Sequence, residues 1–275
     1  MPTANNGHIE LYYETFGAAD DPTVIVLPGM GNQLLIYPEE FCRSLVDRGF
    51  HVIRMDNRDA GLSSVTTDDD EYTLDDMAGD VIAVLDAETI GDAIVLGLSL
   101  GGMVAQVVAI RHPERVRALI SLASASGAGA VENASAEVIE ALTLPAKATI
   151  DEQVESDLKV RHLWSNPDWF DEDQMRIYFR ELYERSWVPG GGLRQLAAVA
   201  RSTDRTSELE QLHVPTLVVH GENDTLIPSA AGRLTAELIP GAEYLEIEGM
   251  SHDFVYQMWP PLIEAVTALA ARTFH

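Results

Sequence analysis

The sequence predicts an α/β chain, with a mostly parallel central β-sheet flanked by helices and a helical cap inserted into it. Three observations carry that expectation. Short β-prone runs alternate with helical stretches from Ile9 to Leu122, a rhythm that implies parallel strands covered on both faces. The rhythm then breaks, and from Glu137 to about Ser207 the chain reads as helices without strong strand runs. After Leu212 the alternation resumes. One core in two parts, residues 1–125 and 208–275, thus encloses a cap at residues 126–207.

Taken in order, Ile9–Glu14 and Thr23–Leu27 read as strands, followed by a loop and a helix from about Pro38 to Arg48. His51–Met55 is the next strand. Leu74–Ala87 is a helix because Leu74, Met77, Val81, Val84 and Leu85 fall on one face. A strand at Ala93–Leu98, a helix at Leu100–Arg111 and a strand at Val116–Leu122 complete the first part, Pro113 marking the end of that helix. Within the cap stand Trp164, Trp169, Phe170, Tyr178, Phe179, Tyr183 and Trp187, and Gly190-Gly191-Gly192 reads as a hinge or helix break. The second part comprises a strand at Thr216–His220, a helix at Ala230–Ile239, a strand at Glu243–Ile247 and a helix at Pro261–Thr273.

At 275 residues the chain can bury a large core, and 46% hydrophobic with 23% charged residues is ordinary for a globular protein. The charge is not ordinary: 18 Lys+Arg against 44 Asp+Glu gives −26, with Lys147 and Lys159 as the sole lysines. Such a surface repels phosphate backbones and anionic bilayers, which argues against nucleic-acid and membrane partners and disfavours polyanionic substrates. Either a genome-wide composition bias or salt adaptation accounts for it. Cys42 is the lone cysteine, so no intrachain disulfide is possible. The start, Met1-Pro2-Thr3-Ala4-Asn5-Asn6-Gly7, shows no basic region followed by an apolar stretch, and a cytoplasmic protein without a signal peptide is expected. Ala93 to Ile110 lacks charges over nearly a membrane span, but its glycines, Ser99 and Gln106 fit a buried strand-turn-helix better.

That turn carries the chemistry. Gly97-Leu98-Ser99-Leu100-Gly101 between a strand and a helix is the pattern of a nucleophile elbow, where small neighbours let a serine hydroxyl stand exposed at the carboxyl edge of a sheet. A serine needs a base and a group to orient that base. Asp224 follows the strand ending at His220, and His252 follows the strand ending at Ile247, so both fall on loops at the same edge, in the order Ser, Asp, His. Glu222 competes with Asp224, and His220 with His252; His8, His51, His112, His162 and His213 lie away from that edge, and His275 is terminal. No carboxylate follows the strand ending at Leu122, where Ala123, Ser124, Ala125 and Ser126 stand.

An oxyanion hole requires two backbone N–H groups, which Leu100 and Met30 of the Pro28-Gly29-Met30-Gly31-Asn32 loop would supply. Gly29, Trp164, Trp187 and Phe254 are the candidate substrate-pocket residues, although most such rings simply pack the cap against itself and the core. In Asp56-Asn57-Arg58-Asp59-Ala60-Gly61-Leu62-Ser63, the loop after the His51–Met55 strand, Asp and Arg read as a structural ion pair that fixes the loop. Asp68-Asp69-Asp70-Glu71 lacks calcium-loop spacing and reads as a solvated acidic loop. No metal site and no cofactor are implied, since neither zinc spacing nor a nucleotide-binding glycine pattern is present.

With Gly97-Leu98-Ser99-Leu100-Gly101-Gly102, Asp224 and His252 in hand, the chain resembles the α/β-hydrolase superfamily over essentially its whole length. It is more closely similar to actinobacterial enzymes of the aclacinomycin methylesterase type. The matching stretches are Phe50 to Asp59, Val214 to Gly221, Ile239-Pro240-Gly241-Ala242 and Gly249-Met250-Ser251-His252. The resemblance implies a carboxylic-ester hydrolase with an acyl-enzyme on Ser99, a substrate-selecting cap and no cofactor. Pro28-Gly29 departs from the His-Gly common in the superfamily's oxyanion loop. Substrates would be uncharged, moderately apolar small-molecule esters or lactones, a polyketide methyl ester among the candidates. Carbon–carbon bond hydrolysis and perhydrolysis can use the same residues, and a non-catalytic ligand-binding or receptor module can keep the same fold. Serine rather than aspartate at position 99 argues against epoxide and haloalkane chemistry. Oligomeric state is not legible in the sequence.

Overall fold

Among the residues described by the computed structural model, 2–67, 70–127 and 134–273, eight strands form one sheet in the order β1-β2-β4-β3-β5-β6-β7-β8. They are β1 (Thr3–Asn6), β2 (Ile9–Phe16), β3 (Thr23–Leu27), β4 (His51–Met55), β5 (Ala93–Leu98), β6 (Val116–Leu122), β7 (Thr216–Gly221) and β8 (Glu243–Ile247). From β4 to β8 every pairing is parallel, while β1 and β2 add an antiparallel edge. Strands β3, β4 and β5 are buried along their whole length. That is why β3 and β5 read as near-continuous apolar runs instead of alternating ones, while β4 also buries His51 and Arg54.

The two faces are still distinguishable by the period of two along each strand. Ile25 and Leu27 point into one apolar layer with α2 (Leu74–Ala87) and α3 (Leu100–Arg111). Val24 and Val26 point into the other, with α1 (Glu39–Val46) and α10 (Trp259–Thr273). Chain order reverses at β3: β4 lies on one side of it and β5 on the other. The loops leaving β3 and β5 therefore diverge at a topological switch point, where α/β sheets open a crevice at their carboxyl ends.

Between β6 and β7 the chain forms α4 (Ala136–Leu142), α5 (Ile150–Arg161), α6 (Glu172–Arg185), α7 (Gly191–Arg201) and α8 (Thr206–Leu209). Strand β7 then leads through α9 (Ser229–Leu238) to β8. The Gly190-Gly191-Gly192 run proves to be a helix start: Gly190 takes φ 79° and α7 begins at Gly191. The sequence reading found every strand except β1, whose Thr3-Ala4-Asn5-Asn6 carries one buried side chain, Ala4.

Side chains of α6 and α7 reach back to the loop after β4. Arg185 holds Asp56 at 2.8 Å and Arg194 holds Asp59 at 2.9 Å, while Arg58 instead meets Asp80 of α2 at 2.6 Å. The ion pair expected within this loop is thus replaced by pairs to other elements. Neighbouring residues on an irregular loop diverge, and each charge finds a partner across the packing interface. Of the acidic run, Asp68 and Asp69 lie outside the described residues, as does His275. Among the described residues, no group of three or more potential metal ligands occurs, and no helix is long and apolar enough to cross a membrane.

Candidate active site

The turn from β5 into α3 leaves no room for side chains beside Ser99. A Cβ on Gly97 would lie 2.0 Å from the Gly101 carbonyl oxygen, and one on Gly101 would lie 2.2 Å from that of Leu27. Ser99 itself adopts φ 55° and ψ −117°, outside the regions an L-residue favours, at a cost of about 1–3 kcal/mol. Backbone hydrogen bonds hold it there: its N–H donates to Leu122 O at 2.9 Å, and its carbonyl accepts the Ser124 hydroxyl at 2.8 Å. Ser124, after β6 where no carboxylate stands, thus braces the turn. Half-buried Ser99 lies at the N-terminus of α3, whose dipole favours negative charge.

Asp224 and His252 meet. Nδ1 of His252 lies 2.7 Å from Oδ2 of Asp224, in a pocket where the two residues are 7% and 6% exposed. The other carboxylate oxygen, Oδ1, accepts the N–H groups of Leu226 and Ile227 at 2.9 and 2.8 Å. Burial pushes the Asp224 carboxyl up, but the charge of His252 and hydrogen bonds from His220 and His252 outweigh it and lower the pKa to about 2. A carboxylate at this distance favours the His252 tautomer that carries its proton on Nδ1. His220 approaches the same carboxylate at 3.4 Å while its Nε2 sits 2.8 Å from Ile227 O, so it braces the Asp224 loop. Glu222 is exposed to solvent.

The loop after β3 faces the elbow. A Cβ on Gly29 would stand 3.4 Å from the Cβ of Ser99, so the backbone here runs directly past the serine. Side chains pin its carbonyls: Tyr37 donates to Leu27 O at 2.9 Å and Asn57 to Pro28 O at 3.0 Å. Met30 of this loop and Leu100 after the elbow both line the same cavity.

A cavity of about 260 Å³ joins these parts, with Ser99, His252, Gly29, Met30, Leu100, Trp164 and Phe254 all in its wall. Trp187 stands outside that wall, its ring 6.3 Å from that of Tyr183. The insert contributes Ala141, Leu142, Val160, Leu196 and Val199, none of which the sequence singled out. Aliphatic residues on amphipathic helices carry no mark of what they face, so this part of the wall had no signal to find. Two charges reach the cavity, and both are engaged. Arg161 lies 3.2 Å from Asp253, and Asp157 accepts hydrogen bonds from Tyr183 and Gln153. Burial raises the Asp157 carboxyl above its ordinary range, against the opposing hydrogen bonds from Tyr183 and Gln153.

Comparison with known proteins agrees with this architecture. The family described as alpha/beta hydrolase fold matches residues 22–257. The chain is 28% identical over 294 residues to a rhodomycin D methylesterase of Streptomyces peucetius, covering 98% of each. It is 28% identical over 265 residues to 3-oxoadipate enol-lactonase 2 of Acinetobacter baylyi, covering 94% of this chain and 93% of that one. Among solved structures, an enol-lactonase from Burkholderia xenovorans LB400 has a TM-score of 0.81 at 23% identity, covering 98% of this chain and 100% of its own; that likeness bears on the fold. A family match over most of the chain, on a sheet of this order with an elbow at its switch point, places the protein: it belongs to the α/β-hydrolase family.

Proposed function

We propose that the protein is a serine hydrolase of uncharged, moderately apolar carboxylic esters or lactones. The observation that carries this reading is that His252, 2.7 Å from Asp224, stands in the same cavity wall as the elbow serine. Nε2 of His252 takes the Ser99 proton as Oγ attacks the ester carbonyl, and Asp224 orients the ring and stabilises the imidazolium that forms. The oxyanion of the tetrahedral adduct is received by the N–H groups of Met30 and Leu100. The adduct collapses, the C–O bond to the alcohol breaks, and His252 returns the proton to the departing oxygen. Water, deprotonated by the same ring, then releases the acid from Ser99. In a lactone the alcohol stays tethered to the acyl chain.

The substrate class follows from the wall. Apart from the reacting groups it is largely aliphatic and aromatic, and its two charges already have partners. A free carboxylate would therefore find no uncommitted cation there, on a chain of net charge −26. Residues 126–207 act as the cap that shapes this wall, over a core made of residues 1–125 and 208–275. The methylesterase and enol-lactonase relatives support ester or lactone cleavage.

The test is active-site labelling. A fluorophosphonate should label the wild-type protein stoichiometrically, and Ser99→Ala should take up none; a folded wild-type protein that stays unlabelled refutes the reading. In parallel, His252→Ala should lower turnover of a simple aryl ester by about a thousandfold or more. A panel of esters, lactones and diketones then ranks the substrates.

A further inference from the structure

Gln195 of α7 is fully buried, and both ends of its amide are used across the insert–core interface. Its Oε1 accepts the Gly31 N–H at 2.8 Å, and its Nε2 donates to the Arg58 carbonyl at 2.8 Å. One side chain of the insert thereby ties together two loops of the core, the one after β3 and the one after β4. Gly31 directly follows Met30 and takes φ 69°, so the bond fixes the peptide next to the proposed oxyanion donor.

The glycine run at the start of α7 makes this approach possible. A Cβ on Gly191 would lie 2.1 Å from the Asp59 carbonyl oxygen, which no side chain could accommodate. Gly192 packs beside Gly31, where a Cβ on Gly31 would come within 3.9 Å of the Gly192 Cα. The same helix puts Leu196 and Val199 into the cavity wall. Helix α7 therefore touches the space for substrate with one face and grips the oxyanion loop with the next.

We propose that Gln195 is a positioning residue through which the cap holds the Met30 N–H in place for the tetrahedral oxyanion. The inference rests on the hydrolase reading above. Gln195 contacts no reacting atom; it acts through Gly31. An apolar residue in its place would leave the buried Arg58 carbonyl without this partner and release the Gly31 N–H, and the loop would relax away from the elbow.

Gln195→Met keeps the length of the side chain and removes both hydrogen bonds. Its kcat on an aryl ester should fall about tenfold, the effect of one well-placed hydrogen bond. KM should change less than about twofold, since Gln195 does not line the cavity. The inhibition constant of an aryl trifluoromethyl ketone, whose hemiketal oxygen needs the same N–H groups, should rise in step with the loss of kcat. A folded variant with kcat and inhibition constant both within about twofold of wild type overturns the proposal, and so does a fall in kcat without weaker inhibition. Should the variant not fold, amide exchange on the wild-type protein decides. The Gly31 amide should be protected together with α7, and free exchange of Gly31 beside a protected α7 overturns the proposal. Exchange is read without turnover, so failure of the hydrolase reading, seen as an unlabelled Ser99, is told apart from failure of this one.

Discussion

Around Ser99 the chain is placed by the absence of side chains, whereas the helical insert is placed by the longest ones. At the elbow, Gly97 and Gly101 let backbones approach closer than any Cβ allows, between strands whose side chains are wholly buried. In the insert, Arg185, Arg194 and Gln195 span from α6 and α7 to the core, with ion pairs at 2.8 and 2.9 Å and an amide bonded at both ends. The first arrangement is local and steric. The second is long-range and polar, and it needs the core to be in place before it can form. The difference teaches which perturbations should strike the chemistry and which should strike the cavity wall.

Adding a methyl group at the elbow should have the largest effect. Gly97→Ala forces a Cβ onto the Gly101 carbonyl, and the expected loss is about 3 kcal/mol of stability or more, together with fluorophosphonate labelling. Urea unfolding and labelling measure the two; a stable, fully labelled Gly97→Ala protein would break the steric half of the comparison.

Removing a polar bridge should act differently. Arg185 lies 2.8 Å from Asp56, which is wholly buried and whose carboxyl is pushed up by burial against the pull of Arg185. Arg185→Met leaves that carboxylate without its cation, at a cost of about 3 kcal/mol at neutral pH. The deficit should narrow toward acid, because a protonated Asp56 needs no cation. Ser99 should still be labelled in the folded fraction while KM for an apolar ester rises; loss of labelling with an unchanged KM would reverse the division of labour.

The smallest effect is the pH dependence of the pair at the cavity. Asp224 has its pKa depressed to about 2, so its ionised form contributes stability that is present above the unfolded-state value near 4 and is lost as pH falls through about 2. The contribution is about 2 kcal/mol. Acid titration of the urea midpoint should show this step in the wild type and lack it in Asp224→Asn; the same step in both proteins would assign it elsewhere.

Much of the fold was legible because its signals are local. Buried parallel strands read as short apolar runs, and α2 shows its face through Leu74, Met77, Val81 and Val84. Strand β1 was missed because one buried alanine makes no pattern. At the site, Ser99, Asp224 and His252 stood out through their positions after strands, and they come to one cavity wall or its immediate support. Trp187, a candidate for the pocket, stands outside the wall and packs beside Tyr183. Leu196 and Val199 were passed over because an aliphatic helix position does not reveal what it faces.

By itself the sequence determined the order of strands β2 to β8 and of the core helices, the turn that presents Ser99, and the two loops that bring an acid and a histidine to the same edge. These depend on residues close in the chain, where glycine, apolar runs and proline act within a few positions. Only the tertiary structure decided that Asp56 meets Arg185 and not Arg58, that His252 meets Asp224 and not Glu222, and that Gln195 grips Gly31. Partners more than a hundred residues apart, as in the first and last of these, are chosen by which faces pack together. Once water is excluded there, each buried polar group takes whatever partner the packing brings within reach.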